Sequence, residues 1–242
     1  MNFLALDVGN SRIKLMLQQS HELPQIKVFQ TEQEAISFLS ILNINDFHSI
    51  VCDVRNNLSS LLLDKLNQSK KFIFLNHQTR LPISNLYETP ETLGYDRIAA
   101  VCGGSELFPH SAILVIDAGT AITYDLLNEQ KEYLGGAISP GLSIRFKALN
   151  EYTGKLPLAN FNESILFPGK NTNQCIEFGV IHGLVAEIES IIDYNTEKYS
   201  SLTVILTGGD SQNLVKIIKK TIFVEPNLVL IGLINILKYN AL

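Results

Sequence analysis

Apolar runs of strand length alternate with amphipathic stretches along the whole chain, and this alternation predicts an α/β fold. In the first half the predicted strands span 2–6, 12–18, 25–30, 49–54 and 71–75. The predicted helices of this half span 31–42, 56–66 and 96–107. We therefore expect a mixed sheet with helices packed against it.

The second half opens with three more predicted strands, which span 112–116, 121–127 and 133–138. After them come predicted helices over 142–150 and 175–195, a strand over 203–206, a helix ending near 219 and an apolar helix over 228–238. Each half reads as three strands followed by alternating helices and strands. The sequence thus predicts two domains, 1–110 and 111–242, each large enough to bury its own core.

One short pattern ends the first strand of both halves. The sequence FLALDVGNS occupies 3–11, and ILVIDAGTA occupies 113–121. A carboxylate at the end of a buried strand can hold a cation or a bridging water, and the following glycine lets backbone N–H groups approach a phosphate. One copy alone would indicate a hairpin turn. Two copies at equivalent points favour a clamp for a nucleoside triphosphate.

Charge and hydropathy limit the partners. The formal net charge is −5, without a cluster of Lys and Arg, so we expect no nucleic-acid ligand. No apolar run approaches the roughly 20 residues of a membrane span. The first strand begins at once, without a basic flank or a cleavage site, so we expect a cytoplasmic protein with no membrane partner.

The cysteines and histidines predict no metal site. Cys52, Cys102 and Cys175 are odd in number, widely spaced and set among apolar residues, which favours core packing over a disulfide or a zinc site. His182 falls inside a predicted helix and is interpreted as a packed side chain. The others lie near predicted loops or strand ends: His21, His48, His77 and His110.

The order of elements resembles the sugar kinase, Hsp70 and actin superfamily. That resemblance implies two duplicated ribonuclease H-like β-β-β-α-β-α domains, an actin-like ATPase fold, with a nucleotide cleft between the domains. The hairpin over 7–14, the hairpin over 117–120 and the Gly-Gly turn over 207–210 occur in the order that such proteins use. Neither a G-x-x-x-x-G-K-[ST] loop nor a G-x-G-x-x-G turn is present.

Five ordered motifs resemble the type III pantothenate kinase family. They are DVGNS at 7–11, YETPETLGYDR at 87–97, DAGT at 117–120, GGAISPG at 135–141 and GKNT at 169–172. Two positions depart from the family pattern, Ser11 where threonine is commoner and Tyr95 where a small residue is usual. The resemblance implies ATP-dependent phosphorylation of pantothenate, the first step towards coenzyme A.

The resemblance implies Asp96 as the catalytic base. Phosphoryl transfer to an alcohol needs a base near the hydroxyl and positive charge near the phosphate oxygens. Asp96 follows Gly94 and stands beside Arg97, whose guanidinium can fork onto a carboxylate or phosphate. From spacing alone, Asp96 could instead be a helix N-cap.

The resemblance also implies a set of ATP-binding residues. It comprises Asp7, Val8, Gly9, Asn10, Ser11, Arg12, Ile13, Lys14 and Thr120. Asp7 is expected to hold Mg²⁺ through water. Strand alternation puts Arg12 and Lys14 on one face, where solvated side chains are the alternative. Asp117 is expected to bind a monovalent cation, K⁺ or NH₄⁺, with a purely structural role in the turn as the alternative.

Pantothenate binding is expected from Tyr87, Gly94, Tyr95, Asp96, Arg97 and Thr172. The family is dimeric, which implies a homodimer with active sites at the interface and Thr172 supplied by the partner subunit. The apolar positions over 178–192, spaced at three or four residues, fit either that interface or internal core.

Two other functions remain open at this point. An enzyme of the same superfamily acting on a sugar or acetate would keep both hairpins but lack the loop over 94–97. A non-catalytic regulator on the same fold is the second alternative. Intact Asp7, Asp96 and Asp117 argue against it.

Overall fold

The computed structural model describes residues 1–20, 22–55 and 57–241. Outside them lie His21, Asn56, which opens the predicted helix over 56–66, and Leu242, which ends the second predicted domain. The chain forms two compact units. The first contains Met1–Pro109, Gln130–Leu134 and the residues from Asn227 onward, and the second contains His110–Glu129 and Gly135–Pro226.

The strands and helices follow the predicted order closely. The strands are β1 (Asn2–Val8), β2 (Ile13–Gln18), β3 (Gln25–Phe29), β4 (Phe47–Asp53), β5 (Lys71–Phe74), β6 (Ser84–Asn85), β7 (Ala112–Ala118), β8 (Ala121–Leu127), β9 (Glu132–Pro140), β10 (Leu202–Thr207) and β11 (Phe223–Val224). The helices are α1 (Glu32–Ser40), α2 (Ser60–Leu66), α3 (Tyr95–Leu107), α4 (Leu142–Glu151), α5 (Thr172–Thr196), α6 (Ser211–Leu214) and α7 (Leu228–Ala241), with a short 3-10 helix at Ile44–Asp46.

A mixed five-stranded sheet forms the first unit, in the order β3-β2-β1-β4-β5. Neighbours among β3, β2 and β1 are antiparallel, while β4 is parallel to β1 and β5 is parallel to β4. Because β1 and β4 run the same way, their carboxyl ends meet at one edge, and Asp7 pairs in register with Cys52. This edge carries the first Asp-x-Gly motif.

Helix α7 joins the first unit although it ends the chain. It packs against α3 at two glycines: a Cβ on Gly232 would lie 1.7 Å from the Ala99 carbonyl oxygen, and one on Gly103 would lie 2.3 Å from that of Leu228. The sequence division at 110/111 assigned this helix to the second half. The apolar pattern of a helix does not reveal which sheet it covers.

In the second unit, β11, β10, β7, β8 and β9 form a sheet in that order. β10 is parallel to β7, and β7 and β8 are joined by the second Asp-x-Gly hairpin. The first residues of β9 belong to the first unit, where Glu132 and Tyr133 pair with β6. The predicted helix ending near 219 stops at Leu214, and the chain then continues in turns.

The apolar positions over 178–192 lie on helix α5. Val180, Leu184 and Ile188 are buried in the core of the second unit, and Ile191 packs against that core. The apolar stripe is therefore internal. Its pattern could not distinguish a core from an interface, because both bury the same side chains.

The opposite face of α5 is exposed. It carries His182, whose ring stacks on Phe178 with the centroids 4.7 Å apart, and Cys175. The prediction of core packing holds for Cys52 and Cys102 but is wrong for Cys175, since that cysteine lies on the exposed side of the first turns. Within the described ranges, no helix combines the length and apolarity needed to cross a membrane.

Candidate active site

The first Asp-x-Gly motif forms a tight loop between β1 and β2. The Gly9 N–H donates a hydrogen bond to the Arg12 carbonyl oxygen at 3.1 Å, and a Cβ on Gly9 would lie 3.3 Å from that oxygen. Asn10, Ser11 and Arg12 are exposed along the loop. These residues can present polar groups to an anion.

The residues that flank this loop have different environments. Val8 and Ile13 are buried in the core of the first unit, so only their backbone groups can reach a ligand. Lys14 is half-buried on β2, directly across from Asp7. Directly opposed residues of an antiparallel pair are close neighbours, so Lys14 brings positive charge to this carboxylate.

Cys52 lies on β4 beside the first motif, where it pairs in register with Asp7. Burial raises the pKa of the Cys52 thiol, and the negative charges of Asp7, Asp96 and Asp53 raise it further. Cys52 stays protonated, so it adds no charge there.

The loop before α3 places Asp96 and Arg97. Gly94 is the N-cap residue of α3, so Asp96 lies in the first turn rather than at the cap. The Asp96 carboxylate accepts a hydrogen bond from the Arg97 N–H at 2.9 Å. A Cβ on Gly94 would lie 2.7 Å from Asp96 Oδ1. A side chain at this position would displace the Asp96 carboxylate from its present place, and Tyr95 begins the helix.

The buried Arg97 side chain lies over one aromatic ring. Arg97 is 8% exposed, and its guanidinium lies 6.0 Å from the centroid of the Tyr87 ring. Tyr87 in turn stacks on Tyr133, with ring centroids 6.1 Å apart. A planar guanidinium over an aromatic face is a favourable arrangement. The structure thus brings Tyr87, Asp96 and Arg97 together in the first unit.

In the second unit, the turn after β10 covers the Asp117 carboxylate. Gly208 has φ +91°, and a Cβ on it would lie 2.4 Å from Asp117 Oδ1. The Asp210 N–H donates to the Ala118 carbonyl oxygen at 3.0 Å, which fixes the turn against the end of β7. Asp117 and the predicted Gly-Gly turn are therefore direct neighbours.

The tip of the second hairpin rests on the start of α4. The Gly141 N–H donates to the Thr120 carbonyl oxygen at 3.1 Å. A Cβ on Gly141 would lie 2.3 Å from the Gly119 carbonyl oxygen and 2.5 Å from that of Thr120. The Thr120 side chain is exposed at this tip. The hairpin therefore presents a hydroxyl from a supported backbone.

A cavity of about 180 Å³ opens beside Asp210, in the turn after β10. Apolar and polar residues line it together: Leu142, Ser143, Phe146, Lys147, Leu158, Ala159, Asn160, Phe161 and Asp210. Burial raises the pKa of the Asp210 carboxyl above its ordinary value.

Thr172 lies at the start of α5, in the second unit. It is the exposed first residue of α5, after Asn171, whose side chain caps the helix by accepting from the Gln174 N–H at 3.0 Å. Thr172 belongs to the second unit, whereas Tyr87 and 94–97 belong to the first.

The donor set fits a hydrated divalent cation. Over 1–20, 22–55 and 57–241, no group of three or more His, Cys, Asp or Glu residues could hold a metal ion. Mg²⁺ usually keeps several waters and binds through one or two carboxylates plus phosphate oxygens. Asp7, half-buried at the end of β1, provides one such carboxylate.

Comparison with solved structures defines the class of fold. A putative Baf family transcriptional activator from Campylobacter jejuni superposes with a TM-score of 0.63 at 24% identity, covering 98% of each chain. A putative N-acetylmannosamine kinase from Listeria monocytogenes gives a TM-score of 0.57 at 13% identity, covering 100% of each chain. The fold is the two-domain actin-like ATPase fold that sugar kinases share.

Sequence comparison defines the family. The sequence model of type III pantothenate kinase matches residues 3–194. A type III pantothenate kinase from Bacteroides fragilis is 40% identical over 98% of this chain and 98% of its own length. The chain therefore belongs to the type III pantothenate kinase family.

Two residues beside the site have no functional role in the sequence analysis. The sequence predicts only core packing for Cys52 and only a strand for Tyr133. The signal for Cys52 is the register of β4 beside β1, which opposes it to Asp7. Tyr133 is identified only by its stacking on Tyr87, a contact between residues that are far apart in sequence.

Proposed function

We propose that Asp96 is the general base in the phosphorylation of pantothenate by ATP, the reaction of the family to which this chain belongs. The observation that carries the proposal is the group around Asp96 in the first unit: its carboxylate accepts from the Arg97 N–H at 2.9 Å, and the Arg97 guanidinium faces the Tyr87 ring. A pantothenate kinase transfers phosphate to an alcohol, which requires a base at the hydroxyl and charge stabilisation at the phosphate.

The roles within the first unit follow from their surroundings. Asp96 accepts the proton of the pantothenate hydroxyl as the oxygen attacks the γ-phosphate. Arg97 is fixed by Tyr87 and donates to a carboxylate or to phosphate oxygens. Gly94 leaves room for the Asp96 carboxylate, while Tyr87 and Tyr95 line the pantothenate site.

The ATP-binding groups of the first unit surround the loop after β1. Asp7 would hold Mg²⁺ through water, and the metal would neutralise charge on the phosphates. Gly9, Asn10, Ser11 and Arg12 donate to phosphate oxygens, and Val8 and Ile13 contribute through the backbone only. Lys14, opposite Asp7, adds positive charge.

The ATP-binding groups of the second unit surround the Asp117 carboxylate. Thr120 donates its hydroxyl to a phosphate oxygen. Asp117 binds a monovalent cation, K⁺ or NH₄⁺, that offsets the charge of the triphosphate. We assign the cavity beside Asp210 to part of the nucleoside, because its apolar side chains, such as Leu142, Phe146 and Phe161, can contact a planar base.

We further propose a homodimer in which Thr172 completes the pantothenate site of the partner subunit. The exposed face of α5 supports this, since a Cβ on Gly179 or Gly183 would meet no atom within 4 Å. Phe178 adds apolar surface there, stacked on His182 and in tilted contact with Phe167. The cytoplasm remains the proposed location, because it supplies ATP.

A coupled assay for ADP release, with and without pantothenate, tests the proposal. Pantothenate-dependent release is expected, and mass spectrometry should identify 4′-phosphopantothenate as the product. Release that requires a sugar or acetate instead would indicate the related kinases. Nucleotide binding without turnover on any of these acceptors would indicate a regulator on the same fold.

A further inference from the structure

Glu187 of α5 accepts hydrogen bonds from three other elements of the second unit. Its Oε1 accepts from the hydroxyl of Tyr124 on β8 at 2.7 Å. Its Oε2 accepts from the Ser139 hydroxyl on β9 at 3.2 Å, and from Nη2 of Arg145 on α4. One carboxylate thus ties together two strands and a second helix.

Arg145 extends this connection to the end of β9. Its Nε donates to the Pro140 carbonyl oxygen at 2.7 Å, and its Nη2 also donates to the Ser139 hydroxyl at 2.9 Å. Glu187 fixes the guanidinium on one side, and Arg145 fixes Ser139 and Pro140 on the other. The path of the backbone entering Gly141 is therefore set by these side chains.

Gly141 in turn carries the tip of the second hairpin. Its N–H bonds to the Thr120 carbonyl oxygen, and its α-carbon approaches the Gly119 and Thr120 carbonyl oxygens too closely for any side chain. A shift of Pro140 and Gly141 must therefore move Thr120. The hydrogen bonds form one continuous path from α5 to the hairpin.

The charge states favour this arrangement. Burial alone would raise the pKa of Glu187, but hydrogen bonds from Arg145, Tyr124 and Ser139 outweigh it and hold the pKa below its usual value. Burial, followed by the bond to Glu187, raises the pKa of Tyr124. At neutral pH the ionised Glu187 carboxylate therefore faces the Arg145 guanidinium and the hydroxyl groups of Tyr124 and Ser139.

We propose that Glu187 is a positioning residue for the phosphate contact at Thr120, acting through Arg145, Ser139 and Gly141. The inference rests on the proposed phosphate-binding role of Thr120. Glu187 itself touches no substrate in this proposal. It sets the KM for ATP by holding the hairpin in its binding position.

The test is steady-state kinetics of Glu187→Gln, with ATP and pantothenate varied separately. Glutamine keeps the size but replaces one acceptor oxygen with an NH₂ donor, so Arg145 or a hydroxyl donor loses its acceptor. We expect the KM for ATP to rise by roughly 3- to 30-fold, the usual range for residues along such a network. The KM for pantothenate should stay nearly constant, which general destabilisation would not produce.

Two variants serve as controls. Glu187→Asp keeps the charge and should recover part of the ATP affinity. Glu189→Gln lies on the same helix, where Glu189 accepts from the Lys219 N–H at 2.7 Å, outside this network. It should leave both KM values unchanged. If Glu187→Gln does not fold, Arg145→Lys replaces it, since lysine keeps the charge but loses the forked contact with Pro140 and Ser139.

A double-mutant cycle with Thr120→Val separates this inference from the proposed function. If Thr120→Val leaves the KM for ATP unchanged, the proposed role of Thr120 is wrong. If Thr120→Val raises it but Glu187→Gln, or the replacement Arg145→Lys, does not, the positioning role of Glu187 is overturned. If the double variant raises the KM for ATP by less than the two single effects combined, the coupling between Glu187 and Thr120 is supported.

Discussion

The two Asp-x-Gly hairpins share a sequence pattern but differ in how the protein supports them. The first has a loop of four residues, 9–12, with three exposed polar side chains. The second has only Gly119 and Thr120 between its strands, and both Gly141 and Gly208 press against its backbone. The first hairpin offers many donors, whereas the second offers one hydroxyl in a firmly fixed position.

The same contrast extends to the carboxylates. Asp7 faces Lys14 across the first hairpin, and Asp96 of the same unit accepts from the Arg97 N–H, which is suited to chemistry at an acceptor hydroxyl. Asp117 lies against a glycine turn and a supported hairpin, which is suited to holding a cation and phosphate. We infer that the first unit carries the proton transfer as well as phosphate contacts, whereas the role of the second is confined mainly to binding the nucleotide.

Replacing the proposed base should give the largest effect. Asp96→Asn keeps the shape of the side chain but cannot accept the proton, so kcat should fall by roughly 10²- to 10⁴-fold. The KM for ATP should change little, because both hairpins are intact. Asp64→Asn, at an exposed position of α2, is the matched control and should behave like the wild type. A near wild-type kcat for Asp96→Asn would remove Asp96 from this role.

Much of this contrast could be expected from the sequence. Apolar periodicity and the repeated motif predict both hairpins and the helix carrying Asp96. They also predict the succession of strands from β1 to β4 along the chain. The support of the second hairpin could not be predicted, because Gly141 and Gly208 act through contacts between distant segments. The exposure of Cys175 was missed for a similar reason. Apolar neighbours in sequence do not specify which face of a helix is covered.

The monovalent cation should matter at Asp117. Because an interaction with a charged group contributes about 1.5–3 kcal/mol, loss of the Asp117 charge in Asp117→Asn should raise the KM for ATP by about 10- to 100-fold.

In the wild type, replacing K⁺ with Na⁺ or Li⁺ at constant ionic strength should reduce activity, because a smaller cation fits the same oxygen ligands poorly. Rates that are equal in all three salts would contradict the cation assignment.

Substituting a glycine at each hairpin should lower the free energy of unfolding by different amounts. Gly208→Ala introduces a Cβ 2.4 Å from Asp117 Oδ1 at a positive φ, and should lower the free energy of unfolding by about 1–3 kcal/mol. Gly9→Ala meets only the Arg12 oxygen at 3.3 Å and should cost less than about 1 kcal/mol. Thermal or urea unfolding of both variants measures this. Equal losses would mean that the second hairpin is no more constrained than the first.

The smallest expected signal tests whether the contrast extends across subunits. Asp96→Asn and Thr172→Ala chains should each be folded, dimeric and nearly inactive when tested alone. If Thr172 completes the partner's pantothenate site, their defects fall on different subunits of one shared site. An equal mixture with complete exchange should recover roughly a quarter of wild-type activity, since half of the dimers are mixed and each has one intact site. Tagged subunits would verify the exchange independently. If exchange is complete and activity does not return, Thr172 serves the site of its own chain, and the proposed interface role is wrong.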